Sequence, residues 1–500
     1  MKGFLPLFVA LPLAGAFLIP LATKIKKWLG VLLANIVTAS LLGLSVLGIM
    51  ETFWGKIIVY QIGGHHPTLG IIFAFDSLSA LIVLLIGLVA FSALLFSVRY
   101  TDKFTGVGKF YSLVMLLLAG MNGVALTGDL FNLFVFLEIS AIASYALVSF
   151  GINDKELEAG FKYMVLGEVG GLFILLGIAL LYSATGTLNM ADLANTLTNL
   201  PKTPIVWFIL GIFLFGFMIK SAVIPFHTWL PDAYQYAPAS ISALLAGVFS
   251  KVIGIYALVR ITFNIFNLSP KTAPVFFNLL LYLGVGSLIT GGFLALNQNN
   301  YKKILSYSCI SQIGYIFVGL GIGNYWGITG ALFFILAHAL TKGLLFLTAG
   351  DVEHKLNTTD LAGIKGLRDR MPTTSWSLII GLLSLSGVPP LPGFFAKLLI
   401  IIGALAAHLY LVAIICSLYS TLTLAYLLKI WQPIAGKSES TLGYPGRAAE
   451  IPTMTSAILF LVVVVIIFGI GFKPALTWIV EPAATALLRG IGYAKIILGG

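Results

Sequence analysis

Residues Pro204 to Phe263 read PIVWFILGIFLFGFMIKSAVIPFHTWLPDAYQYAPASISALLAGVFSKVIGIYALVRITF, two apolar spans joined by a polar, proline-rich break. Each span carries one interior lysine, Lys220 in the first and Lys251 in the second, and the break holds Pro225, His227, Pro231, Asp232 and Pro238. A lysine at the centre of a membrane helix costs about 2.5 to 3.5 kcal/mol on insertion scales, so it normally faces a cavity or a partner. Pro225 removes a backbone donor and frees carbonyls that only protein or water can satisfy. Interrupted helices with a charge at mid-membrane are the pattern of ion-transport sites.

Working outward, the 500 residues are 59% hydrophobic and only 9% charged, with a mean hydropathy of +1.03. Soluble domains carry about 25% charged residues, so the reading is an integral membrane protein. The net charge of +11 comes from basic residues scattered over short loops, without a stripe or recognition motif, and nucleic acid is not expected as a partner. Cys309 and Cys416 form no ligand cluster, and no GxGxxG or Walker A signature occurs, so no cofactor is expected in this chain. Redox chemistry would have to sit on other subunits. The opening MKGFLPLFVALPLAGAFLIPLA has the length of a signal peptide but runs into a multi-span pattern, and is expected to be a retained first helix.

At about 20 apolar residues per span, the pattern predicts an all-α polytopic protein of about 14 transmembrane helices. They fall near 3–21, 29–50, 69–98, 110–127, 130–150, 159–183, 204–230, 239–263, 274–296, 304–322, 327–350, 373–407, 409–430 and 453–472. The stretch 477–497, with Glu481, Pro482, Arg489 and Lys495, is weaker and reads as interfacial or as a fifteenth span.

Alternating the loops puts Lys24, Lys26, Lys27, Arg99, Lys103, Lys109, Lys155, Lys162, Lys302, Lys303, Lys355, Lys365, Arg368, Arg370, Lys429, Lys437 and Arg447 on one side. Lys2, Lys56, Lys202, Arg260, Lys271 and Lys473 fall on the other. The positive-inside rule then places the N-terminus outside the cell membrane.

A second proline-broken span, LSLSGVPPLPGFFAKLLIIIGALAA, has Pro389, Pro390 and Pro392 just before Lys397. It is the twelfth span and the Lys220 span is the seventh. An offset of five inverts direction through the membrane, so two inverted five-helix repeats with broken helices 7 and 12 are expected. The corresponding units are 1–105 (helices 1–3), 106–265 (helices 4–8), 266–435 (helices 9–13) and 436–500 (helix 14 and an amphipathic tail).

Glu138, Glu168, Lys220, Lys251, His338, Lys342 and Lys397 lie deep in spans. Spread across one bundle, they are expected to pass protons, because burial and pairing bring proton affinities of carboxylates and amines close together. Glu138 stands about 13 Å into its helix at 1.5 Å per residue and is the natural partner of Lys220. The alternative is a static ion pair that only fixes packing. Glu168, followed by two glycines, could equally hydrogen-bond between helices. His338 and Lys342, at i and i+4, share one helix face. His227 either relays protons or caps carbonyls, and Asp232 is a further accessory candidate. Asp76 and Asp129 read as helix-end groups. His65 and His66 read as surface residues.

FGFMIKSAVIPFHTWLPDAYQYAPASISALLAGVFSKVIGIYALVR closely resembles the antiporter-like subunits shared by respiratory complex I, Mrp-type sodium/proton antiporters and membrane-bound hydrogenases. NLFVFLEI, KYMVLGEVGGLFILLGIALLYSATGTLNM, NYKKILSYSCISQIGYIFVGLGIG, HALTKGLLFLTAG and SGVPPLPGFFAKL support it in order, over nearly the whole chain. The resemblance implies a fourteen-helix core with two inverted repeats. It implies that Glu138 and Lys220 form a charge pair, that Lys251 continues a central polar axis, that His338 and Lys342 bridge the halves, and that Lys397 ends the pathway. Glu168 departs from many related subunits, which are uncharged there. Length and the FLPLFVALPLAGAFLIPL opening resemble the Mrp D-type subunit or its archaeal hydrogenase homologue, and no long C-terminal lateral helix is seen.

The resulting expectation is a proton-translocating membrane subunit of a multi-subunit complex, with exchange for sodium left open, and not itself an enzyme. Its expected partners are other membrane subunits of an Mrp-type, hydrogenase or complex I-like assembly and the lipid bilayer, with iron–sulfur or nickel–iron centres confined to partners. The alternatives are a self-sufficient secondary transporter, a quinone-binding redox subunit or a structural anchor.

Overall fold

The computed structural model describes residues 2–53, 55–65, 70–199, 203–436 and 450–498. His66, Lys202, Lys437 and Arg447, all used in the readings above, lie outside the described residues.

Helices α1 (Leu7–Ile25) and α2 (Lys27–Thr52) lead into an antiparallel hairpin of β1 (Ile58–Gln61) and β2 (Ile72–Phe75), with Ile58 opposite Phe75 and Gln61 opposite Ile72. α3 (Ser77–Tyr100), α4 (Val107–Leu126), α5 (Leu130–Val148) and α6 (Asp154–Thr185) follow. A short helix, α7 (Met190–Asn199), precedes α8 (Pro204–Ser221), α9 (Trp229–Tyr236) and α10 (Ala239–Ile265). The second part comprises α11 (Pro274–Leu296), α12 (Tyr301–Ile322), α13 (Tyr325–Leu356), α14 (Pro372–Ser386), α15 (Pro392–Ala406), α16 (Tyr410–Ala435) and α17 (Pro452–Ile470). Short helical turns over 472–488 and α18 (Gly492–Leu498) close the chain.

Among the described residues thirteen helices are long and apolar enough to cross a membrane. The α14–α15 pair adds two shorter helices of 15 residues each, separated by a break. The chain is therefore a multi-pass membrane protein, with thirteen membrane-length helices among the described residues where about 14 were expected. The apolar stretches of α10 and α13 are enclosed on every side, whereas α1, α2 and α16 leave most of their surface outward, as lipid-facing helices do.

Three expectations need correction. The span placed at 69–98 starts only at Ser77, because Asp76 caps it through a 2.9 Å bond from the Ser79 amide and the residues before it form β2. Arg260, counted with the loops, is 3% exposed inside α10 and ion-paired to Asp76. Lys302, likewise counted as a loop residue, is 2% exposed and donates to Glu353 and the Ala237 carbonyl at 3.2 and 3.1 Å. Asp129 is a helix cap, holding the Asn132 amide at 2.8 Å.

Contacts between loops gather them onto two faces. On one face the hairpin bridges to Thr127, Asp129 bridges to Asn189, Asn264 donates to the carbonyls of Ala486 and Leu487, and Arg489 donates to the Gly55 carbonyl. On the opposite, basic face Lys27 pairs with Asp102, Lys162 with Asp232, and Asn300 with Asp360. The stretch 477–497 belongs to the first face. There Glu481–Leu488 buries Ala483, Ala484, Ala486 and Leu487, and α18 packs on α7 and the hairpin.

Candidate functional site

α8 stops at Ser221, one residue beyond Lys220, and Ala222 takes a left-handed conformation, φ 56°. Pro225 follows in the break, where the lost ladder would strand carbonyls in the membrane interior. The break answers this with side chains. Trp229 Nε1 donates to the Ile219 carbonyl at 3.0 Å, and the Ile224 amide donates to Ser287 Oγ at 3.1 Å.

Lys220 Nζ, buried, lies 3.2 Å from Glu138 Oε1 on α5 and 3.5 Å from the Tyr145 hydroxyl further along the same helix. Space for this meeting comes from α6. A Cβ on Gly171 would stand 2.3 Å from Glu138 Oε1, and one on Gly167 would stand 2.1 Å from the Tyr145 hydroxyl. Glu168, between those glycines, stands within electrostatic reach of Glu138 and Tyr145. Tyr163, also on α6, hydrogen-bonds Ser144 at 2.9 Å and stacks on Trp229 at 4.4 Å, tying the pair to the break.

The next amine is on α10. Lys251 is 1% exposed and its Nζ donates to the Ala246 carbonyl five residues back. The backbone here widens to an i→i+5 pattern over Leu245–Phe249 and Lys251–Tyr256, a geometry frequent at functional positions because it frees carbonyls within a helix. α8 ends against this segment: a Cβ on Gly254 would lie 2.2 Å from Ser221 Oγ.

Lys342, fully buried on α13, donates to the Leu305 carbonyl of α12 at 2.8 Å and to Ser308 Oγ. His338, one turn earlier, is 2% exposed with neither ring nitrogen hydrogen-bonded. It faces a small cavity lined by Gln312, Thr341, Ser384 and Leu385. Thr341 and Ser384 hydroxyls are 2.9 Å apart, and Gln312 reaches the Tyr426 hydroxyl at 3.2 Å.

The far wall of that cavity is the second break. α14 ends at Ser386, Gly387 takes φ 86°, and α15 begins at Pro392. Lys397 of α15 reaches back across the break and donates to the Leu385 and Ser386 carbonyls, both at 3.0 Å, and to Ser420 Oγ at 3.3 Å. Those carbonyls are the unsatisfied C-terminal end of α14, where a cation is favoured by the helix dipole. The Tyr315 ring lies 5.1 Å from the amine.

The predicted residues thus separate into groups. Glu138, Lys220 and Glu168 form one cluster; His338 faces the cavity beside the α14–α15 break, Lys342 lies one turn from it on α13, and Lys397 bridges the break. Lys251 sits on the enclosed helix between them. His227 lies in the first break, partly buried, with Nδ1 unpartnered. Asp232 stands apart on the basic face, 3.2 Å from Lys162. Sequence reasoning missed Tyr145, Gly171, Ser308, Gln312 and Ser420, which complete these contacts. Among the described residues no group of three or more His, Cys, Asp or Glu side chains could hold a metal ion, and both cysteines are free and buried.

Thirteen membrane-length helices among the described residues, two helix breaks, and buried amines held by carbonyls define a class: the polytopic ion-transport subunits. The family model for NADH:quinone oxidoreductase/Mrp antiporter transmembrane proteins matches residues 127–423, and the chain belongs to that family. It is 35% identical over 477 residues to the N subunit of NADH-quinone oxidoreductase from Desulforudis audaxviator, covering 93% of each chain. To the D-type subunit of the Na(+)/H(+) antiporter from Alkalihalophilus pseudofirmus it is 38% identical, covering 76% of this chain and 77% of that one. Among solved structures, a chain of the Mrp complex from a Dietzia species superposes with TM-score 0.92 at 28% identity, over 100% of this chain and 99% of that one.

Proposed function

We propose that this chain is the ion-translocating membrane subunit of a multi-subunit assembly, moving protons through Glu138, Lys220, Lys251, His338, Lys342 and Lys397. The observation that carries this reading is the character of the buried amines. Lys220 has a carboxylate, but among the described ion pairs Lys251, Lys342 and Lys397 have none and rest on carbonyls and hydroxyls. A role in packing alone would favour amines neutralised by carboxylates or replaced by apolar groups, since a lone buried charge is costly. An amine on neutral acceptors can be charged or uncharged with the same neighbours.

In the mechanism, the Glu138–Lys220 contact is the control point. While the two are in contact, the carboxylate holds the charge on Lys220. When the pair loosens, the Lys220 proton is released along the axis toward Lys251 and Lys342, and the disturbance ends at Lys397 on the second break. Glu168 and His227 adjust the first cluster. Residues 106–265 and 266–435 serve as two inverted units around the two breaks, flanked by 1–105 and 436–500, with the N-terminus outside and the basic face inside.

Similarity to the D-type component of an antiporter and to a chain of an Mrp complex supports assembly with other membrane subunits and exchange of protons for sodium. Similarity to a component of a quinone oxidoreductase supports a redox-driven setting equally, with iron–sulfur or nickel–iron centres on partner chains. The test is to purify the complex through a tag on this chain, identify its companions by mass spectrometry and reconstitute it in vesicles. E138Q and K220A are expected to abolish proton movement while the companions still co-purify. Full transport by either variant, or by the chain alone, overturns the reading.

A further inference from the structure

Asp351 lies on α13 near the basic face, outside the axis described above. Its side chain is fully buried, one carboxylate oxygen contacts the Thr374 hydroxyl at 2.5 Å, and the other has no hydrogen-bond partner. The neighbouring Ser375 hydroxyl is also buried and unpartnered. The charged groups acting on the carboxyl are Glu450 and Lys355, and among the described ion pairs Asp351 has none. Glu450, only partly buried, accepts from the Thr373 and Thr374 amides at 2.9 and 3.2 Å, at the start of the half-helix α14. A carboxyl enclosed this way, with a free oxygen and a partly exposed acidic neighbour, is expensive as scaffolding and suited to holding a proton in transit.

Hydroxyl groups stand between it and the axis. Thr348 is three residues from Asp351 on the same face of α13, and its hydroxyl is 2.9 Å from that of Tyr301. Tyr301, Leu305 and Ser308 follow one face of α12 at i, i+4 and i+7, and the latter two hold Lys342. Asp351 and Lys342 are nine residues apart on one helix, about 13 Å of rise.

Resting on the transport function proposed above, we infer that Glu450 and Asp351 are the proton inlet of the second half, loading Lys342 from the basic face. A proton from water binds the Asp351 carboxylate, passes along the Thr348 and Tyr301 hydroxyls to the uncharged Lys342 amine, and leaves the carboxylate ready to reload. Thr374 is a positioning residue that fixes the carboxyl.

The test uses the purified complex in vesicles with the basic face outward, following the initial rate of proton uptake. D351N is expected to slow uptake by about tenfold or more, D351E to restore most of it, and millimolar azide or formate, small weak acids that ferry protons, to accelerate D351N but not the unaltered complex. A wild-type rate in D351N, or slow uptake indifferent to both weak acid and D351E, overturns the inlet. If D351N does not assemble, E450Q carries the test, because its amide oxygen still caps Thr373 and Thr374. Slowing with weak-acid rescue supports the inlet, and an unchanged rate removes it. E138Q and K220A, run alongside, report separately on the transport reading.

Discussion

Gly171 shows how much of this site depends on what is missing from a side chain. It lets α6 close over Glu138 Oε1 with no Cβ in the way, and the same substituent would stand 3.5 Å from Lys220 Nζ. G171A is therefore expected to push the carboxylate off the amine. Losing a charge-assisted hydrogen bond of about 1.5–3 kcal/mol corresponds to roughly a tenfold to hundredfold fall in transport rate, with assembly intact. Proton uptake by reconstituted vesicles checks this, and an unchanged rate would mean that the contact is dispensable. Glu138 and Lys220 were legible in the sequence because a charge inside an apolar run is conspicuous. Gly171, Ser308 and Ser420 were not, because small and hydroxylated residues are common in membrane helices and signal nothing by spacing. Backbone carbonyls, the main acceptors for Lys251, Lys342 and Lys397, leave no mark in a sequence at all.

At the level of the helices, prolines announced both breaks, but not how the freed carbonyls would be satisfied. In the first break an indole does it. W229F keeps the ring against Tyr163 and removes only the donor to Ile219. It is expected to cost about 1 kcal/mol, seen as a lowered melting temperature of the purified complex, with little change if water replaces the indole. The hairpin before α3 escaped the hydropathy reading for a related reason. Ile72 to Phe75 are as apolar as the helix that follows, and only the capping aspartate, Asp76, divides strand from helix.

Across the whole molecule, the loop charge asymmetry and the alternation depend on the parity of the spans rather than on any one boundary. Counting charges by loop went astray at Arg260 and Lys302, whose charges are buried. Arg260 joins several parts of the chain: it binds Asp76 and Ser79 of α3, Tyr256 and Asn264 of its own helix, and lies 5.1 Å from the Tyr493 ring of α18. Removing one member leaves the other charge stranded, at a cost of about 3–5 kcal/mol. D76A is expected to lower thermal stability sharply, and the D76A/R260L double variant to recover part of it. Calorimetry or a detergent melting curve decides, and an additive loss would show that the two charges do not depend on each other.

Lys397 is rooted in one rod and grips the tip of another. A single proton on that amine is therefore also a fastener: with it, α14 and α15 are clasped end to end, and without it the clasp is reduced to weak, uncharged contacts. Occupancy and joint stiffness become one variable. In the pathway proposed above, a charge arriving at Lys397 would be felt as mechanics, in the angle between two half-helices, by whatever touches their outer surfaces.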